Sequence, residues 1–368
     1  LAEFLNRQKM DSIVNAAIQH GTLEKRLYDE FEDADHLKIV VAGCGGGGNN
    51  TLRRLNRIGI GGAELIAINT DKQDLQALDN NITKVLIGAK LMRGLGAGGF
   101  PELGAKAAES SNNELTEVLA GTHLLFLVAG MGGGTGTGSA PVVAEIAKEL
   151  GTIVIAIVTF PFKLERARLE KAREGIDRLR KVADTVIVVD NNKLVEYVPN
   201  LPLDKAFSVA DEIVARAVKG VTETILEPSL INLDFADIRS VMGGGSVAVI
   251  SVGDGEGVDR CEVAVRNTLE HPLLEVDYKG ASGALIHITG GTELTLGEAN
   301  QVGELITNEL SSEASVTWGA RVDAEMGDRI EVIAIITGVN SPHILGQGSD
   351  SFQKKKAEEI DHWGVKGV

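Results

Sequence analysis

Six short runs of aliphatic and β-branched residues, at 38–43, 64–69, 84–88, 123–129, 152–159 and 185–190, alternate with segments of helical pattern through the first half of the chain. Such runs are apolar at nearly every position, so both faces of each strand must be covered, and the intervening helices supply the cover. The alternation constrains the chain to a parallel α/β sheet flanked by helices. Sheets of this kind bind ligands beyond the carboxyl ends of their strands. Three of those ends run into glycine clusters: Gly43-Cys-Gly-Gly-Gly-Gly-Asn-Asn50, Arg93-Gly-Leu-Gly-Ala-Gly-Gly99 and Gly130-Met-Gly-Gly-Gly-Thr-Gly-Thr-Gly-Ser-Ala-Pro141.

Backbone N–H groups without side-chain cover, aimed from a helix N-terminus, form an anion site. One such turn is compatible with packing alone; three at one sheet edge point to a polyphosphate. Thr135 and Thr137 add hydroxyls that can donate to phosphate oxygens. No Gly-x-x-x-x-Gly-Lys-Ser/Thr occurs, which excludes a P-loop, and Asn192-Lys-Leu-Val195 lacks the Asp of a guanine-reading Asn-Lys-x-Asp motif. The first glycine turn alone also fits a Rossmann NAD(P) oxidoreductase. That reading leaves the other two clusters unexplained and finds only a loose acidic ribose ligand at Asn69-Thr-Asp71.

Between Asp204 and Glu227, apolar residues at Phe207, Ala210, Ile213, Val214, Ala217, Val218, Val221 and Ile225 predict one long helix, roughly 35 Å at 1.5 Å per residue, that Pro228 stops. Beyond it, runs at 247–252, 284–289, 315–319 and 330–337 predict a second sheet, with helices near 258–270 and 295–310. The organisation expected is a helical N-terminal extension (1–36), a nucleotide-binding domain (37–203), a central spine helix (204–227), a smaller α/β domain (228–340) and a tail (341–368).

With 52 acidic against 36 basic side chains, the net charge of −16 opposes binding to nucleic acid or to an anionic membrane. Cys44 and Cys261 have no metal-type spacing and suit a reducing compartment. No apolar run reaches the roughly 20 residues of a membrane span, and no signal pattern opens the chain. A soluble cytoplasmic protein is expected.

Gly132-Gly-Gly-Thr-Gly-Thr-Gly138 resembles the signature loop of the tubulin/FtsZ superfamily. Its last Thr, the first glycine cluster and Asn232-Leu-Asp-Phe-Ala-Asp237 favour the FtsZ branch over tubulin, and the likeness runs from about residue 38 to 338. The resemblance implies a bacterial or archaeal GTPase that polymerises head to tail, uses GTP/GDP and Mg²⁺, forms the division ring, and meets the membrane only through adaptor proteins; a related filament controlling cell shape is the alternative. It implies nucleotide contacts from Gly46, Gly47, Gly48, Asn49 and Asn50. It also implies contacts from Ala67, Asn69, Thr70 and Asp71 in a second loop, from Gly96, Ala97 and Gly98 near the terminal phosphate, and from Gly133, Gly134, Thr135, Gly136 and Thr137. The ribose contacts it implies are Glu165 and an Arg four residues later. Position 169 is Leu, so Arg168, one residue early, takes that place.

The resemblance places base recognition on Phe207 and Asp211, one helical turn apart, and the residue types suit it: a phenyl ring can stack on a purine, and a carboxylate can accept the two N–H donors of guanine's edge. The resemblance makes Asp234 and Asp237 the groups that orient the attacking water, with Asn232 shaping their loop. If Asp211 touches the base, the helix from there to Glu227 carries the chain about 24 Å away, so these carboxylates reach a neighbour's nucleotide and not their own.

Overall fold

The computed structural model describes residues 37–192, 200, 202–226, 235–242, 246–270 and 278–339. The N-terminal extension, the tail from residue 340, most of Asn192-Lys-Leu-Val195, and both Asn232 and Asp234 lie outside the described residues.

The first half alternates as its sequence predicts: β1 (Ile39–Cys44), α1 (Gly45–Ile58), β2 (Ala63–Asn69), α2 (Lys72–Gln76), β3 (Thr83–Leu86), α3 (Ala89–Met92), α4 (Pro101–Ser110), α5 (Asn112–Leu119), β4 (Leu124–Gly130), α6 (Thr135–Glu149), β5 (Ile153–Phe160), α7 (Arg166–Leu179) and β6 (Thr185–Asp190). The spine helix α8 (Leu203–Leu226) follows, then α9 (Phe235–Met242), β7 (Ser246–Gly255), α10 (Arg260–Leu269), β8 (Gly283–Gly290), α11 (Leu296–Thr307), β9 (Ser315–Val322) and β10 (Ile330–Thr337). Every residue of β1 is buried, as a strand covered on both faces requires.

Strands pair in the order β3-β2-β1-β4-β5-β6-β7-β10-β8-β9. The first six are parallel, and the order reverses between β1 and β4. At such a reversal the loops leave in opposite directions and open a crevice beyond the strand ends. The loops at this one are the first glycine cluster and the signature loop.

Where the sequence predicts a separate second sheet, hydrogen bonds join the two: β6 and β7 pair in parallel over Thr185–Ile187 and Ser246–Ala248. β10 then lies antiparallel between β7 and β8, making this part mixed. Periodicity finds strands but carries no information on partners, so this junction was not legible. Each half keeps its own core. One packs Val40, Leu127 and Val158 against Ala144 and Ile176. The other packs Ile286, Val332 and Ala334 against Ala264 and Val302.

Helix α1 begins at Gly45, inside the glycine cluster itself. Four glycines read as loop because each costs about 1 kcal/mol in a helix relative to Ala. Here contact demands them: a Cβ on Gly47 would lie 3.0 Å from Gly130 Cα, and one on Gly48 would run into Val128 O. In α8, Val214, Ala217, Val218 and Val221 are buried as predicted, and Ala215 and Thr222 widen the stripe. The helix packs on α1 on one side and on the sheet on the other. No described helix is long and apolar enough to cross a membrane.

Candidate functional site

Two helix N-termini meet at the reversal point. A Cβ on Gly45 would lie 2.7 Å from Gly136 N, and one on Gly136 would lie 2.8 Å from Gly130 O and 2.9 Å from Cys44 O. The first turns of α1 and α6 therefore touch backbone to backbone, and their unpaired N–H groups concentrate positive potential on one space. The third cluster closes in from another side: a Cβ on Gly134 would lie 2.9 Å from both Ala97 Cβ and Phe100 N. That cluster is held in shape by left-handed residues, among them Gly94, Gly96, Gly98 and Gly99 with φ between 57° and 83°.

The glycines divide by what surrounds them. Gly43, Gly45, Gly48, Gly134 and Gly136 are filled in by backbone and permit packing. Gly133 and Gly99 face nothing within 4 Å, while Gly46 and Gly96 meet only a carboxylate oxygen or its methylene about that far away. The second group forms an open floor with no side chain over it, where backbone is accessible.

The second loop is tied into this floor. Gly96 N donates to Thr70 O at 3.2 Å and Lys72 N to Gly94 O at 3.1 Å. Thr70 and Thr135 share a hydroxyl hydrogen bond of 2.6 Å, which joins the second loop to the signature loop. Asp71 caps α2, its Oδ1 accepting from Gln73 N at 2.8 Å, a use that leaves it no special claim as the acidic ribose ligand of an oxidoreductase. The placement of Ala67 and Asn69 is a correction: both belong to β2, Ala67 wholly buried and paired with Gly43 and Lys84, and the loop proper begins at Thr70. Thr137 is 2% exposed, and its Oγ1 accepts from Gly132 N at 2.9 Å, so it shapes the loop from within.

Asp74 escaped sequence reasoning and is the hub of the site. Its Oδ2 accepts from Asn49 Nδ2 at 2.7 Å and Asn69 Nδ2 at 2.8 Å, and its Oδ1 from Arg53 at 2.7 Å. Asn49 Oδ1, fully buried, has no hydrogen-bond partner among the described residues. Asn50 is exposed and accepts from Arg53 at 2.6 Å. Replacing Asp74 with Ala leaves two buried amide donors unpaired and takes one of its two partners from the Arg53 guanidinium, and costs about 2 kcal/mol of stability with roughly tenfold weaker nucleotide binding. Thermal melts with a GDP titration check this; an unchanged affinity refutes the role. The signal in the sequence was slight, a carboxylate three residues after the Asp71 cap.

The candidate ribose pair sits beside the signature loop. Arg168 donates to Glu165 Oε2 at 2.7 Å, and a Cβ on Gly132 would touch the Arg168 backbone at 2.8 Å. Lys171, also overlooked, donates to Gly99 O at 2.7 Å and stands 5.5 Å over the Phe100 ring, clamping the third loop to α7. Cys44 lines the site without reactivity, since burial pushes its thiol up to about 12.

On the spine helix, Phe207 precedes Asp211 by one turn, and the Phe207 side chain is outside the described residues. Burial raises the Asp211 carboxyl above its usual range, opposed by a hydrogen bond from Thr51 and the charge of Arg54. Asp237 lies elsewhere, in the first turn of α9, which packs on β8 and β9. The structure thus brings the three glycine clusters, the second loop and the Glu165–Arg168 pair to one sheet edge. It does not bring Asp237 there.

Residues 38–199 match the Tubulin/FtsZ family GTPase domain, and residues 246–340 match the FtsZ family C-terminal domain. Cell division protein FtsZ 2 of Methanocaldococcus jannaschii is 61% identical over 338 residues, covering 91% of this chain and 88% of that protein. FtsZ 2 of Haloferax volcanii is 49% identical over 355 residues, covering 95% and 88%. An empty FtsZ dimer of M. jannaschii superposes with a TM-score of 0.80 at 46% identity, over 86% of this chain and 92% of that one. A GTPγS-bound protofilament of CetZ2 from Haloferax volcanii superposes at 0.70 and 25% identity, over 89% and 99%.

Proposed function

The chain belongs to the tubulin/FtsZ family of GTPases, and from that premise we propose that it is a filament-forming GTPase of cell division whose active site is completed between subunits. The observation that carries this reading is the position of α9. Met242 O, at the end of α9, accepts from Thr185 Oγ1 at 2.7 Å, and Thr185 is the first residue of β6, at the sheet edge opposite the glycine clusters. From Thr185 to Asp190 the strand rises roughly 17 Å, whereas the five residues from Met242 back to Asp237 span at most about 7.5 Å of helix. Asp237 therefore stays far from the phosphate floor of its own subunit.

A head-to-tail neighbour meets both ends. Its α9 end faces the nucleotide of the next subunit, and a heterologous contact of this kind propagates into a filament. The exposed side chains Leu95, Phe100 and Leu164, which flank the glycine clusters, supply apolar surface for that contact. In the joint site the glycine floor and the two helix N-termini offset phosphate charge, Asp211 and Phe207 read guanine, and Asp237, with Asp234 and Asn232, orients the attacking water from the adjacent subunit.

Among the described residues no three His, Cys, Asp or Glu side chains are grouped to hold a metal. Mg²⁺ keeps waters and takes phosphate oxygens, so it needs few protein ligands, and Asp71 Oδ2 near Gly96 offers one protein oxygen. Bound there, Mg²⁺ would offset charge between phosphates. The filaments act at the division site and reach the membrane through adaptors; the match to the FtsZ C-terminal domain favours this over a role in cell shape. Light scattering with simultaneous phosphate release tests the reading: GTP gives polymer and turnover per subunit that rises with protein concentration, and ATP gives neither. Concentration-independent turnover refutes it.

A further inference from the structure

We propose that Thr51 is the positioning residue for base recognition: its hydroxyl holds the Asp211 carboxylate in the one orientation that meets the guanine edge. The inference rests on the reading of Asp211 as the base-recognising group. Thr51 lies in α1 and is 1% exposed. A threonine inside a helix ordinarily returns its hydroxyl to the carbonyl four residues back. Here that carbonyl, Gly47 O, is 3.5 Å away, while Asp211 Oδ1, 160 residues on in sequence, is at 2.9 Å. A hydroxyl has one hydrogen to donate, and the geometry assigns it to Asp211.

A half-buried carboxylate needs such a partner. The cation facing it from α1, Arg54, makes its hydrogen bond to Glu212, the next residue of α8, and does not grip Asp211. The Thr51 bond therefore fixes the carboxylate plane, occupying one lone pair of Oδ1 and leaving the remaining ones for the N1–H and N2–H donors of guanine. The same bond opposes the burial that raises the Asp211 carboxyl, and so favours the ionised form, which accepts two donors where a protonated one would oppose them. Because the first turn of α1 is the Gly45–Gly48 part of the phosphate floor, one hydroxyl ties the base-reading helix to the phosphate-holding one.

The experiment compares the affinities of GDP and inosine diphosphate, which lacks the 2-amino donor, for the full chain below its assembly concentration. Thr51→Val, nearly isosteric, lowers the GDP preference roughly tenfold, the worth of one charge-assisted hydrogen bond. Thr51→Ser restores it, which a merely steric role would not predict. Thr51→Ala gives the same loss should the Val variant not fold. Folded Thr51→Val and Thr51→Ala proteins that keep the wild-type preference overturn the proposal, as does loss of preference in Thr51→Ser. Asp211→Ala is the control. If it abolishes the preference while Thr51→Val does not, Thr51 alone is misassigned; if it leaves the preference intact, the base-recognition reading falls, and this proposal with it.

Discussion

Replacing Asp237 with Ala leaves GTP binding by the monomer unchanged and lowers assembly-dependent turnover by roughly 10²- to 10⁴-fold, the usual contribution of a group that handles a proton or a water in the transition state. The separation follows from geometry: α9 is anchored by Met242 to the start of β6, and the phosphate floor lies beyond the other end of the sheet. Mixing gives the decisive measurement. Added wild-type subunits present an intact Asp237 to the nucleotide held by variant subunits, so turnover of GTP preloaded on the variant recovers as wild-type protein is titrated in. Failure of that recovery, or full turnover by a verified monomer, would show that Asp237 acts within its own chain or not at all.

The second large effect divides the signature loop into two kinds of glycine. Gly136→Ala puts a methyl group 2.8 Å from Gly130 O, where backbone must move, and destabilises the fold by about 1–3 kcal/mol or more. Gly133→Ala meets nothing within 4 Å and has no left-handed φ to strain, so its melting temperature stays within a degree or two of wild type. Its methyl group instead occupies the open floor and weakens GTP and GDP binding at least about tenfold, because phosphate oxygens lose close approach to the backbone N–H groups. Thermal melts without ligand separate the two variants, and nucleotide titration completes the comparison. A Gly133→Ala protein with unaltered affinity would show that this glycine does not line the ligand.

Much of this was legible because it is written in local pattern. The apolar runs of β1, β4 and β5 announced a sheet covered on both faces, and all three came out buried. The periodicity of Val214, Ala217, Val218 and Val221 announced the spine helix. The glycine clusters announced an edge of bare backbone, and the first turns of α1 and α6 do meet there. What local pattern could not convey was which glycine does what: Gly133 and Gly136 stand three residues apart in one glycine-rich loop, one facing open space and the other a carbonyl.

Contacts between distant residues were hidden for a related reason. Asp74 reads as an ordinary acid early in a short helix, and its importance comes from Asn49 and Arg53, which β1 and β2, pairing side by side, bring to it. Thr51 reads as a neutral helix position, and its partner lies 160 residues on. The chain's own order of residues thus determined the elements, the glycine-lined edge and the family's motifs, because propensity, periodicity and backbone exposure act over a few residues. The tertiary structure decided the joining of two sheets through β6 and β7, the division of glycines between packing and cradle, and the placing of Asp237 at the far edge. Those outcomes depend on strand pairing and on distances across the sheet, which no spacing along the chain encodes.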